Sequence, residues 1–576
     1  MKILTLHCDY VKFKPLKKAI QKAEELKDFK EQEIKEPLVV LTAVEAGDND
    51  QTIRDLVESL IKTANEVKAK NIVLYPYAHL SPNLAPPTMA LEYLTEAEHT
   101  LRKKGFTVVR APFGYYKELE LKVKGHPLSE LSKNFTTDTV QVKGKHTIEQ
   151  TEKEYNTSQL LREISRVKLD TSKLEENDHR ILGQKLDLFS FNEVAPGSVF
   201  WHHNGLVIFN ELVKYWREIH KKAGYQEIST PQVLENKLWK VSGHWRLYKE
   251  NMFLTEYEGR DAAIKPMNCP GAMLVYRTKT RSYKDLPLRL AELGIVHRKE
   301  LSGVLAGLFR VVKLTQDDAH IFCTKDQQES EIINVIKLFI ETLNKFNFSY
   351  RFTISTQSPE KKTKYLGDNT RWKEAEDALA NSLKKLKLKY DIEKGEAKFY
   401  GPSLDVQIKD SRNREWQCST LQLDFNLPEL FELEYTGKDN KAHRPILLHR
   451  VIFGSMERFI GILLEHLNGA LPLWLSPIQV RIINFTDRNT KTAEKILNQF
   501  GETIPELRID RDFDQTTLSE KIRQAEIMRI PYIIVIGDKE EETKTLAVRA
   551  RGKKPEFGVK PEKLLIELKE KIEKRI

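Results

Sequence analysis

Residues 289–322 read RLAELGIVHRKELSGVLAGLFRVVKLTQDDAHIF, and this stretch decides the fold of the chain. An apolar run carries Arg298 and Glu300, a loop follows, and a second apolar run returns from Arg310. That order predicts an antiparallel hairpin with Arg298 and Glu300 on one strand and Arg310 on the other. Taken singly, each arginine is more often a surface ion pair than a ligand group.

Two further segments flank the hairpin. Upstream, GLVIFNELVKYWREIHKKAGYQEISTPQVL (205–234) reads as a long amphipathic helix, a turn at Gly224 and a strand stopped by Pro231. Downstream, LLHRVIFGSMERFIGILLE (447–465) reads as a Gly-Ser turn opening an amphipathic helix whose first turn holds Arg458. In this order the three segments resemble motifs 1, 2 and 3 of class II aminoacyl-tRNA synthetases. The resemblance implies an antiparallel sheet flanked by helices, a homodimer joined through motif 1, and ATP with Mg²⁺ as substrate. It assigns Arg298 to the α-phosphate, Glu300 to the adenine amino group, Arg458 to the γ-phosphate and Arg310 to substrate binding. A guanidinium fork suits phosphate oxygens chemically.

The segments MNCPGA, TQDDAHIF and LLHR carry Cys269, His320 and His449. Their separations fit no local zinc-finger spacing, so residue types alone suggest a buried thiol and two structural histidines. The chain as a whole, however, resembles archaeal-type threonyl-tRNA synthetases, and that resemblance makes the three residues ligands of one catalytic-domain Zn²⁺ per subunit. Three protein ligands leave a position open, which the amino and hydroxyl groups of L-threonine can fill. The resemblance also points to Asp318 as acceptor for the substrate ammonium, with Tyr400, Gln417 and Gln422 nearby and Gln316 toward substrate or ATP. Two positions depart from the family: Ser403 stands where a lysine is usual, and Leu314 where an aromatic stacks on adenine. These departures predict weaker ATP binding, relieved by Leu314→Phe.

A site built around the hydroxyl rejects valine by roughly 10⁴ to 10⁵, whereas serine, lacking one methyl, is excluded only about 10- to 200-fold. Such an enzyme needs a second sieve. From residue 1 to 140, short apolar runs alternate with helical stretches, which reads as a compact α/β domain. Its segments VLYPYAHLSPNLAPP and RAPFGYYKELELKVKGHPLSELS resemble the archaeal threonyl editing module, related to D-aminoacyl-tRNA deacylases. The resemblance implies an editing site at His79, Lys117 and Glu130, with Pro76, Ala78, Phe113 and Tyr116 shaping the pocket. On residue type alone, His79 is a loop histidine and Lys117 with Glu130 a surface pair.

Residues 141–177 are polar and charged and read as a linker carrying a short helix; 178–475 hold the mixed catalytic pattern; 476–576 alternate strands and helices as a separate α/β domain. This last part resembles the anticodon-binding domain of several class II synthetases, which makes Glu540, Arg549 and Arg551 candidates for reading anticodon bases. The alternative is an ordinary charged sheet edge.

Composition agrees with a soluble globular chain: hydrophobic residues make up 40% and charged residues 31%, and the four cysteines are too scattered for a disulfide framework. No stretch approaches a membrane span, and the cytoplasm is the expected location. A formal charge of +10 suits a polyanionic partner such as tRNA(Thr), although Lys/Glu-rich solvated helices give the same sum. Two competitors are a prolyl or seryl class II enzyme, opposed by the Cys269, His320 and His449 set, and a tRNA-binding paralogue with a decayed catalytic site.

Overall fold

The computed structural model describes residues 1–20, 23–26, 28, 30–81, 83–126, 128–135, 157–164, 172, 174–358, 368–398 and 400–576. The linker expected over 141–177 falls largely outside these residues. The chain divides into two compact units, Met1–Lys153 and Glu154–Ile576.

The first unit is a seven-stranded sheet. Strands Pro37–Ala43, Asn71–Pro76 and Thr107–Arg110 run parallel, joined by helices Asp50–Glu66 and Pro87–Lys103. Pro37–Ala43 (PLVVLTA) is buried along its whole length, as a strand covered on both faces must be. Asn49 and Thr52 form a capping box at the start of helix Asp50–Glu66, which buries Ile53, Leu56, Val57 and Leu60 on one face. The long first strand, Lys2–Lys18, pairs through its first half with Pro37–Ala43 and Glu130–Asn134, and through its second half with Tyr115–Val123. This pairing sets Lys117 opposite Pro15 and Glu130 opposite Leu6.

The second unit is built on an eight-stranded sheet in the order Gln226–Glu227, Leu288–His297, Lys313–Cys323, Ile446–Val451, Glu415–Asp424, Ser403–Lys409, Ser349–Thr356, Tyr390–Lys394. Only the outermost pairs at each edge are parallel. One face is apolar: Ala291, Ala319, Ile321, Leu421, Leu404 and Leu448 pack on Ile208, Leu212 and Trp216 of helix His203–Lys222, and on Phe459 and Leu463 of helix Met456–His466. The other face is mixed: Leu288, Leu290, Phe322 and Leu447 make an apolar patch under helix Cys269–Arg277, and polar side chains continue beside it. One row of register partners on it runs His320, His449, Gln422, Ser403, Ser355.

Beyond the sheet, strands Ile509–Asp512, Val480–Asn484, Tyr532–Ile536, Leu546–Ala550 and Glu556–Val559 form a five-stranded sheet in that spatial order, the first three parallel. It shares one compact unit with the central sheet. The connector explains why. Leu471, Leu473, Trp474 and Leu475 are buried, Arg508 donates to the Trp474 carbonyl at 2.7 Å and meets Glu211 at 3.3 Å, and Arg575 lies 5.6 Å over the Trp474 ring. Among the described residues no helix is long and apolar enough to cross a membrane.

Candidate active site

The polar row brings together two histidines from adjacent strands, His320 opposite His449, with rings 4.9 Å apart and edge-on at 77°. Cys269 opens helix Cys269–Arg277 against them. The ligand atoms of Cys269, His320 and His449 all lie within 4.8 Å of one another, and all three residues are buried. Sequence distance hid this convergence; strand register creates it. His320 Nε2 is buried without a hydrogen-bond partner, which a folded protein rarely tolerates. Burial raises the Cys269 thiol, while the adjacent His449 opposes that rise. Burial works against charge on His449, but Cys269 and the Asp424 carboxylate, 2.9 Å from its Nε2, hold it well above the usual imidazole range.

Asp318 lies on the same strand, one pleat from His320, with a carboxylate oxygen 4.0 Å from His320 Nε2. Burial pushes its carboxyl up to about 6, and Asn268 donates to it at 3.2 Å. Tyr400 closes the site with its ring 5.7 Å from that of His449, and burial lifts its phenol well above the ordinary range. Gln422, next to His449 in the row, donates to the Gly401 carbonyl at 3.4 Å. Gln417 donates to Asp405 at 2.6 Å, and Gln316 sits opposite Gly294 on the hairpin. Ser403 gives its hydroxyl to Asp405, which also accepts from Ser355, Gln417 and Thr420. Four donors thus satisfy this buried carboxylate with no cation.

The hairpin strands end at His297 and resume at Lys313, so Arg298, Glu300 and Arg310, expected on the strands, lie in the loop that joins them. Arg298 donates to the Pro266 carbonyl at 3.2 Å and Arg458 to the Phe309 carbonyl at 2.9 Å. Burial lowers the Arg458 guanidinium below its ordinary value, and the neighbouring Arg298 and Arg310 lower it further. Cations close enough to repel one another form a receptor for a polyanion. The Glu300 carboxylate takes the Arg310 guanidinium at 2.8 and 2.9 Å. Leu314 is only 9% exposed and packs with Val296 and Val311, so its side chain belongs to an apolar cluster.

Sequence reasoning missed Asp317. Its fully buried carboxylate accepts from the backbone N–H groups of Ile452 (2.8 Å), Phe453 (3.0 Å) and Gly454 (3.0 Å), fixing the turn that leads into helix Met456–His466.

In the first unit, His79 is exposed in the short turn Ala78–Leu80 that follows Pro76, its ring 5.4 Å from Tyr77. Lys117 is half-buried: Nζ donates to the carbonyls of Pro112 (2.9 Å) and Tyr115 (3.0 Å) and sits 5.0 Å over the Tyr75 ring. Burial lowers its pKa to about 8. The Phe113 backbone N–H donates to Glu24 at 2.6 Å, and Tyr116 is 57% exposed, with Lys17 5.7 Å over its ring. Glu130 is exposed, and among the described residues no ion pair joins it to Lys117.

In the C-terminal part, Glu540 accepts the Gly537 N–H at 3.1 Å and caps helix Asp538–Thr543, while Arg549 lies on strand Leu546–Ala550 opposite Ile533. Arg551 is committed within the fold, donating to the carbonyls of Arg529 and Leu471.

Comparison with known sequences and structures finds three families along the chain. Residues 1–135 match the family described as the Archaea-specific editing domain of threonyl-tRNA synthetase, 253–467 the class II core domain of tRNA synthetases (G, H, P, S and T), and 479–571 an anticodon binding domain. Threonine–tRNA ligase of Carboxydothermus hydrogenoformans is 49% identical over 403 residues, covering 69% of this chain and 62% of that protein. The Caldanaerobacter subterraneus enzyme of the same name is 50% identical over 377 residues, covering 66% of this chain and 58% of its own. The chain thus spans about three fifths of the length of these curated relatives. The crystal structure of the RNA binding domain of threonyl-tRNA synthetase from Cryptosporidium parvum superposes with a TM-score of 0.65 at 36% identity, over 68% of this chain and 98% of that one. A solved structure matched almost end to end at that identity, together with the class II core and archaeal editing matches, makes the chain a member of the threonyl-tRNA synthetase family.

Proposed function

We propose that the protein is a threonine–tRNA ligase: it activates L-threonine with ATP, transfers threonine to the 3′ end of tRNA(Thr), and hydrolyses mischarged seryl-tRNA(Thr) in its N-terminal domain. The convergence of Cys269, His320 and His449 beside Asp318 carries this reading. One thiol and two imidazoles within 4.8 Å, one with an orphaned buried nitrogen, fit Zn²⁺. When bound, the ion supplies open coordination for the amino and hydroxyl groups of threonine.

The remaining work falls to the chain. Asp318 accepts from the substrate ammonium, which turns the threonine carboxylate toward the arginine cluster. That carboxylate attacks the α-phosphorus of Mg²⁺-ATP and pyrophosphate leaves, with Arg298 and Arg458 offsetting the developing charge. Arg310 and Glu300 hold the nucleotide, and Gln316, Tyr400, Gln417 and Gln422 line the site. The 3′ hydroxyl of the terminal adenosine then attacks the threonyl adenylate. In the editing site Lys117, His79 and Glu130 orient the seryl ester for attack by water, and Pro76, Ala78, Phe113 and Tyr116 shape the pocket.

On this reading residues 1–140 form the editing domain, 141–177 the linker, 178–475 the catalytic domain and 476–576 the anticodon-binding domain. The protein works in the cytoplasm as a homodimer joined through motif 1, and Glu540 and Arg549 serve anticodon recognition, whereas Arg551 braces the fold through the Arg529 and Leu471 carbonyls. Aminoacylation of a tRNA(Thr) transcript tests it. The intact protein should accumulate threonyl-tRNA and no seryl-tRNA, and Lys117→Met should accumulate both. No charging of threonine by the intact protein would overturn the proposal.

A further inference from the structure

A second group with ligand chemistry, Asp178, His179 and Glu465, lies in the same unit. Its hydrogen bonds give it another use. His179 Nδ1 is 2.7 Å from Glu465 Oε1, and Nε2 accepts the Leu308 N–H at 2.9 Å. A backbone N–H can only donate, so Nε2 is unprotonated and the ring proton sits on Nδ1, facing the carboxylate. Both ring nitrogens are therefore engaged. Glu465 is fixed in turn by the His179 N–H at 3.0 Å and by Arg414, and Asp178 is held by Arg180 at 2.8 Å.

The imidazole meets the hairpin loop at three successive residues. At Gly307, with φ +53°, an added Cβ would run into His179 Nε2, so the loop is built around the ring. Leu308 gives the hydrogen bond, and the Phe309 ring lies 4.2 Å from the imidazole. The next residue is Arg310. The Phe309 carbonyl accepts from Arg458, in the first turn of helix Met456–His466, whereas Glu465 sits in its last turn. One helix thus grips the same loop from both ends, directly through Arg458 and through His179 from Glu465.

We infer that His179 is a positioning residue for ATP: by carrying the hold of Glu465 to Leu308, it fixes the loop that presents Arg310 and the Phe309 carbonyl to Arg458. This rests on the ligase reading. Because the threonine pocket is built on the sheet row, loss of the clamp acts on ATP and leaves threonine binding alone. Two amides separate the halves of the clamp. Glutamine places its terminal atoms where Nε2 stands and can still accept from Leu308; asparagine reaches only the Nδ1 position and keeps the Glu465 contact.

The test is ATP–pyrophosphate exchange driven by threonine, with KM measured for each substrate. His179→Asn and His179→Ala should raise KM for ATP roughly 10- to 100-fold, the scale of one lost buried hydrogen-bond partner, with KM for threonine unchanged within about twofold. His179→Gln, which still accepts from Leu308 and stays anchored to Glu465 through its own backbone N–H, should stay within about threefold for both. A general folding role would instead lower the active fraction and the melting temperature without splitting the two KM values. Equal effects of Asn and Gln, or an unchanged KM for ATP in His179→Asn, would overturn the inference; if the alanine variant does not fold, the Asn and Gln pair decides alone. Absence of exchange in the unsubstituted protein would overturn the ligase reading and this inference with it.

Discussion

Lys117 offers a pH signature of editing. Its Nζ already donates to the Pro112 and Tyr115 carbonyls, so a third position remains. In the ammonium that position is an N–H donor; in the neutral amine it is a lone pair. If Lys117 grips a substrate oxygen, only the charged form works. Burial lowers its pKa to about 8, against an opposing pull from Glu24. The charged fraction then falls from roughly nine-tenths at pH 7 to roughly one-tenth at pH 9, so seryl-tRNA deacylation, corrected for spontaneous hydrolysis, should drop about tenfold across that window. An exposed lysine near 10.4 would show no such inflection. The stability sign runs the other way: a lysine whose folded pKa is depressed burdens the folded state below about 8, and the burden fades as pH rises toward the unfolded value. Single-turnover deacylation from pH 6.5 to 9.5 checks this, with Lys117→Met losing both the rate and the inflection. A flat profile to pH 9.5, or an unaltered rate in Lys117→Met, would refute the reasoning.

Other perturbations follow from the same geometry. Asp317→Asn puts an amide among three N–H donors and should destabilise the fold by about 2–3 kcal/mol, read as a lower calorimetric midpoint; an unchanged midpoint would remove Asp317 as the anchor of that turn. The packing of Leu314 among Val296 and Val311 reverses the expectation for Leu314→Phe, which should cost about 1–3 kcal/mol by overpacking and leave KM for ATP no lower. Arg549→Ala should raise KM for tRNA about tenfold without altering pyrophosphate exchange, whereas Arg551→Ala should chiefly lower the melting temperature.

The hairpin and the helix opened by Ser455 were legible as elements because each lies in one continuous stretch whose periodicity and turn residues agree, but the strand ends were not, and Arg298, Glu300 and Arg310 fall in the loop. The alternation of the first unit was legible for the same reason. The metal triad was not, on residue types alone: Cys269, His320 and His449 meet only through the register that sets His320 opposite His449, and no local spacing encodes it. The resemblance of the surrounding motifs supplied what spacing could not. His179 stood in a polar run with no visible partner, since Leu308 and Glu465 arrive from other elements. Lys117 read as a surface residue because its burial depends on the long first strand pairing with Tyr115–Val123. The union of the C-terminal sheet with the central one was hidden in a short apolar connector that resembles any loop until Arg508 and Arg575 close over it.

The most direct test of the central claim is threonine-dependent ATP–pyrophosphate exchange, run with threonine, serine and valine on intact and zinc-stripped protein. Exchange is expected with threonine, more weakly with serine and almost not at all with valine, and all of it should be lost on stripping and restored by added zinc. Exchange that survives zinc removal, or that accepts valine as readily as threonine, would contradict that claim.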